Sequence, residues 1–127
     1  MANPSGRKGA SWESAVAAYL AEEFPLVERR VKNGRLDRGD ITGIPNVVIE
    51  CKAERVIDIP GYLGELELEM ENDGAAFGFV FIKNRRHGTE DGYAVCSIKH
   101  ARNIIVNMLL KGILGDISGE GVRANRT

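Results

Sequence analysis

The run Phe77-Gly-Phe-Val-Phe-Ile82 constrains the fold of this chain more than any other segment. Six consecutive residues without a polar side chain present apolar groups to both faces of a strand. Such strands sit centrally, in sheets covered on both sides. The cover has to come from the helical patterns on either side of it. Ser11 is a plausible N-cap for a first helix in which Trp12, Val16, Ala17, Leu20 and Phe24 recur at helical spacing, and Pro25 ends it. Pro60-Gly61 marks a second helix over about 61–73, with Leu63, Leu66 and Met70 on one face, closed by Asn72-Asp73-Gly74.

Shorter strands fill the intervals. Residues 26–31 read as a strand leading to an Asn33-Gly34 turn, and 40–44 with 47–52 read as a hairpin around Gly43-Ile44-Pro45-Asn46. Tyr93 to Cys96 forms another strand. Ser97 caps a last helix from Ile98 to Lys111, which Gly112 is expected to stop. A helix between strands implies a crossover connection. The expected fold class is therefore α/β, a mixed central sheet flanked by helices. Its 127 residues suit one core, assigned to 11–114, with a mobile basic arm at 1–10 and a polar tail at 115–127.

Composition excludes some classes of function. No apolar run reaches the roughly 18 residues of a membrane span, and the N-terminus has no signal-peptide pattern. Cys51 and Cys96 form no C-x-x-C pair and read as buried free thiols of a reducing cytoplasm. The net charge of -1 argues against a histone-like coat, but the charge is unevenly spread. Basic residues gather in Arg7 and Lys8, in Arg29, Arg30, Lys32, Arg35 and Arg38, and in Lys83, Arg85, Arg86 and His87. Each cluster is either a solvated face or a track for a phosphate backbone. Acids gather in Glu65, Glu67, Glu69, Glu71 and Asp73, where solvation is the simplest account.

Chemistry concentrates in Asp40-Ile-Thr-Gly-Ile-Pro-Asn-Val-Val-Ile-Glu50-Cys51-Lys52. Cores exclude Asp, Glu and Lys unless they are paired or bind a metal. Alternation places Glu50 and Lys52 on one face of the strand and Cys51 on the other. A tight turn would bring Asp40 near Glu50, and two neighbouring carboxylates repel unless a proton or cation lies between them. Mg²⁺ takes hard oxygen ligands, and the Cys51 carbonyl would face the same site. Lys52 would then orient a water or stabilise charge on a phosphorane-like transition state. The competing account is a surface Glu50–Lys52 pair with Asp40 as a turn residue. Glu13 falls within the apolar stripe of the first helix, where a carboxylate needs a cation; compensation of the helix dipole is the alternative.

These residues resemble the PD-(D/E)xK nuclease superfamily, and within it the Holliday junction resolvases of archaeal and bacteriophage type. The likeness runs over Arg7-Lys8-Gly9, Glu13, Gly39-Asp40, Glu50-Cys51-Lys52, Pro60-Gly61-Tyr62 and Phe77–Lys83 ending in Lys83-Asn-Arg-Arg86, about residues 7 to 87. Gly39 stands where the motif has proline. The resemblance implies a restriction-endonuclease-like core in which Glu13, Asp40 and Glu50 hold Mg²⁺ or Mn²⁺ and Lys52 assists the water. It also implies a homodimer acting on branched DNA in a host cytoplasm, with no organic cofactor. Relatives often line the cleft with a polar side chain from the second helix, and Glu67 is the candidate for that place. Arg7, Lys8, Arg30, Lys32, Arg35, Lys83, Arg85 and Arg86 are the expected DNA contacts. A nuclease for linear duplex, flap or single-stranded DNA, and a non-catalytic DNA-binding module, are the other readings of the same residues.

Overall fold

The structure is a computed structural model that describes residues 4–31 and 36–117. The elements run α1 (Pro4–Ala21), β1 (Glu28–Arg29), β2 (Ile41–Thr42), β3 (Val47–Lys52), α2 (Ile59–Asp73), β4 (Phe77–Ile82), a 3-10 turn (Thr89–Asp91), β5 (Tyr93–Val95) and α3 (Ile98–Ile117). The chain divides into two compact units, Met1–Cys96 and Ser97–Thr127.

In the first unit β4 lies between β3, to which it is parallel, and β5, to which it is antiparallel. The fold class is thus mixed α/β, with the all-apolar strand at the centre of its sheet. α2 is the crossover that makes the parallel pair possible. It starts on Asp58, whose side chain accepts from the Gly61 N–H at 3.1 Å, with proline in its first turn, and ends at Gly74. The two faces of the sheet carry separate cores. Trp12, Val16 and Ala17 of α1 pack with Val27, Ile41, Ile49 and Cys51, and Tyr62, Leu66 and Met70 of α2 pack with Val48, Val80 and Ile82. The Trp12 indole N–H donates to the Phe81 carbonyl at 2.9 Å, pinning α1 to the central strand.

Several boundaries differ from expectation. Residues 4–10, read as a mobile arm, are the opening turns of α1, since proline is tolerated at the start of a helix. The same helix ends at Ala21, so Phe24 leaves the apolar stripe and is 45% exposed. The strand over 26–31 shrinks to Glu28–Arg29, and the Asn33-Gly34 turn lies outside the described residues. The hairpin over 40–52 does not form a ladder. β2 pairs antiparallel with β1, and its link to β3 is the Asp40 N–H to Ile49 carbonyl bond at 2.9 Å. Gly43 explains the switch: its φ is +107°, and a Cβ there would collide with the Leu26 carbonyl, so only glycine lets β2 turn toward the β1 segment.

In the second unit α3 begins as expected, with the Ser97 hydroxyl accepting from the His100 N–H at 3.2 Å. It continues past Gly112 to Ile117, taking in the first residues of the expected tail, because one glycine only weakens a helix. Ile105, Met108 and Leu109 on it are exposed. Both cysteines are free, Cys51 buried and Cys96 half-buried. No helix among the described residues is long and apolar enough to cross a membrane.

Candidate metal centre

The site is assembled on the outer edge of β3. Residue 39 sets its geometry. Gly39 has φ +96°, which proline cannot reach, and a Cβ there would press on Val48 and on the Ile49 carbonyl. That close approach delivers Asp40 to β3. Its N–H donates to Ile49, its carbonyl accepts from the Arg30 N–H at 2.8 Å, and its Oδ2 accepts from the Cys51 N–H at 2.8 Å. The Asp40 carboxylate, 3% exposed, is therefore held against the strand by backbone on both sides. A residue's N–H and C=O point to the same edge of a strand, so the Cys51 carbonyl faces outward on the side of Asp40.

Alternation along β3 does the rest. Ile49 and Cys51 enter the core under α1, while Val48, Glu50 and Lys52 turn toward α2. The Lys52 Nζ lies 2.7 Å from Glu65 Oε2, 3.5 Å from Glu50 Oε2 and 5.0 Å from the centre of the Tyr62 ring. Burial by itself would lower its pKa. The Glu65 hydrogen bond and the Glu50 charge outweigh that and push it up, so Lys52 remains an ammonium. It can stabilise negative charge and orient a water, but it has no tendency to act as a base.

Glu13, Asp40, Glu50 and Lys52, from three separate elements, line one cleft of about 480 Å³ together with Lys8, Cys51, Glu54 and Arg55. Glu13 sits at its margin. The Arg29 guanidinium lies 3.3 Å from one oxygen of this half-buried carboxylate, Oε1. A smaller pocket of about 210 Å³ shares Lys8 and Ala53 with the cleft and adds Lys83 and Arg85. Two of the basic clusters thus converge next to the carboxylates. Arg86 is exposed in the same loop, whereas Arg30 is drawn to Asp73 of α2 at 3.8 Å and is part of the frame. Arg7 falls on α1, and Lys32 and Arg35 lie outside the described residues.

On α2, Glu67 is exposed, Glu65 holds Lys52, and Glu69 is 2% exposed against Glu50. Among the described residues, Asp37, Glu50 and Glu69 form an acidic trio in which one oxygen from each lies within 4.8 Å of the other two. Sequence reading missed Asp37 and Glu69. The signal for Glu69 is present, because Tyr62, Leu66 and Glu69 follow one another at helical spacing along the buried stripe. Asp37, in irregular chain, carries no such signal.

The electrostatics follow from this crowding. Burial first, then the Asp40 and Glu69 carboxylates, push Glu50 well above the ordinary carboxylate range. Burial and Asp37 do the same to Glu69. Burial also raises the Cys51 thiol, which leaves it an inert core group. Hard cations fit the donor set: it is all oxygen, and Glu50 Oε1 is buried with no hydrogen-bond partner.

No family model, curated protein or solved structure matches this chain closely enough to lend it a family.

Proposed function

We propose that this chain is a metal-dependent endonuclease with a PD-(D/E)xK, restriction-endonuclease-like core that resolves four-way DNA junctions as a homodimer. One observation carries the reading. Glu13, Asp40, Glu50 and Lys52, distant in sequence and drawn from α1, the β2 approach and β3, share one cleft that opens beside a Lys8, Lys83 and Arg85 pocket. Phosphodiester cleavage needs that pairing of acids, a fixed ammonium and a phosphate track.

Asp40, Glu50, Glu13 and the Cys51 carbonyl are the groups that would hold Mg²⁺ or Mn²⁺. Such an ion supplies a Lewis acid for the scissile phosphate and a more acidic bound water. Lys52 places its ammonium beside the reacting phosphate, with Glu65 fixing its position, and offsets the charge that builds in the transition state. Lys8, Lys83 and Arg85 hold the flanking backbone. The junction and the dimer rest on the resemblance; the exposed Ile105, Met108 and Leu109 of α3 offer apolar surface for a second copy. Two free cysteines suit the reducing host cytoplasm in which such an enzyme would work.

The test is cleavage of a four-way junction, a flap, plain duplex and single strand in Mg²⁺ by the wild-type chain and by Asp40→Asn, Glu50→Gln and Lys52→Ala. Junction cutting is expected to exceed the others, and each substitution to lower it by roughly 10²–10³-fold while DNA binding persists. Equal rates on plain duplex would remove the resolvase reading. Full activity in all three variants would remove the site.

A further inference from the structure

We infer that Asp37, Glu50 and Glu69 form a second divalent-cation position, behind the cleft on the α2 side of Glu50. It stands whether or not the cleft cleaves DNA. Two oxygens bound to one Mg²⁺, Mn²⁺ or Ca²⁺ ion, at about 2.0–2.6 Å each, lie no more than about 5 Å apart. The trio meets that limit, with one oxygen from each residue within 4.8 Å of the others. The independent observation is Glu69. It is 2% exposed, neither of its oxygens has a hydrogen-bond partner, and its neighbours are the carboxylates of Glu50 and Asp37. Glu50 Oε1 is likewise buried without a partner. Native interiors do not keep three such oxygens without a proton or a positive charge to face.

Two cations near Glu50 among the described residues are committed elsewhere. Lys52 sits on Glu65 and on the Oε2 side of Glu50, and Arg30 is directed to Asp73. The position is also built in advance. Asp37 Oδ1 accepts from the Gly39 N–H at 3.0 Å, and its carbonyl accepts from the Asn72 side chain of α2 at 2.9 Å. Asp37 is exposed, which leaves a path for entry and room for the waters that Mg²⁺ and Mn²⁺ retain. Three carboxylates favour a divalent over a monovalent ion. An ion here would hold Glu50 from behind, with Oε2 turned to Lys52.

Mn²⁺ binding to the full chain, counted by calorimetry and by the paramagnetic signal of the free ion, tests this. The wild-type chain is expected to take up two equivalents. Asp37→Asn, which retains the acceptor for Gly39, and Glu69→Gln should each lose one, or weaken it by roughly tenfold or more, and keep the other. Asp40→Asn should show the reverse pattern. A single wild-type equivalent lost in Asp37→Asn but kept in Asp40→Asn would support this position and remove the ion from the cleft. An unchanged count and affinity in both Asp37→Asn and Glu69→Gln would overturn the inference, leaving a proton shared between Glu50 and Glu69. If Glu69→Gln fails to fold, Asp37→Asn decides alone.

Discussion

The two faces of β3 differ sharply. Ile49 and Cys51 enter an apolar core with Trp12, Val16 and Ala17. One residue away, Glu50 enters a pocket with Asp40, Glu69 and Lys52, in which buried oxygens lack partners. The first face lowers the free energy of the fold by removing apolar surface from water. The second raises it unless a proton or a cation arrives. A strand that spends stability on one face while gaining it on the other has the form expected of a functional site.

Truncating Ile49 to alanine should give the largest effect on stability, a loss of about 2–5 kcal/mol in chemical denaturation, because it opens a cavity in the α1 core. The adjacent Glu50→Gln should go the other way and stabilise the metal-free chain by about 1 kcal/mol toward alkaline pH, where ionising Glu50 would put a buried charge beside its neighbouring carboxylates. Equal destabilisation by both would show that the two faces do not differ physically.

The pH dependence sharpens the same contrast. Glu50 and Glu69 have folded-state pKa values above their ordinary 4.5, so the folded chain binds protons that the unfolded chain has already released. Their contribution is full below that value and is lost as pH rises toward the folded-state values. Without divalent cation the melting temperature should therefore fall between about pH 5 and about pH 8, and added Mn²⁺ should raise it more at the higher pH. A cation effect that is the same at both values would break the link between ion and carboxylates.

The smallest effect is expected at the basic pocket beside the cleft. Charge reversal at Lys83 and Arg85 should weaken DNA binding, with the slope of log K against log salt becoming shallower by about 1 for each phosphate no longer neutralised. An unchanged slope would leave the pocket they line as solvated surface.

Much of the frame was legible because local pattern dictates it. The strand over Phe77–Ile82 has the bounds its apolar run indicates, and Val47–Lys52 shows the alternation that separates Glu50 from Cys51. The proline at the start and the Asn72-Asp73-Gly74 stop of α2 are likewise local chemistry. Boundaries set by weak signals were not legible, among them the start of α1 at Pro4 and the passage of α3 through Gly112. The hairpin failed for a tertiary reason, since β2 gained its ladder from β1, with Asp40 beside it bonded to the Ile49 carbonyl of β3.

The sequence by itself determined which residues are chemically out of place: Asp40, Glu50 and Lys52 interrupt apolar strands, and Glu13 interrupts an apolar helix stripe. Charge is expensive in an interior, so its position in a periodic pattern can be read without coordinates. Only the tertiary structure decided which acids face one another. Glu13 met Arg29, Glu65 took Lys52, and Asp37 and Glu69 closed on Glu50. Those encounters depend on the rotation of α2 about its axis and on one glycine at φ +96°, which carry the chain across distances that no local pattern encodes.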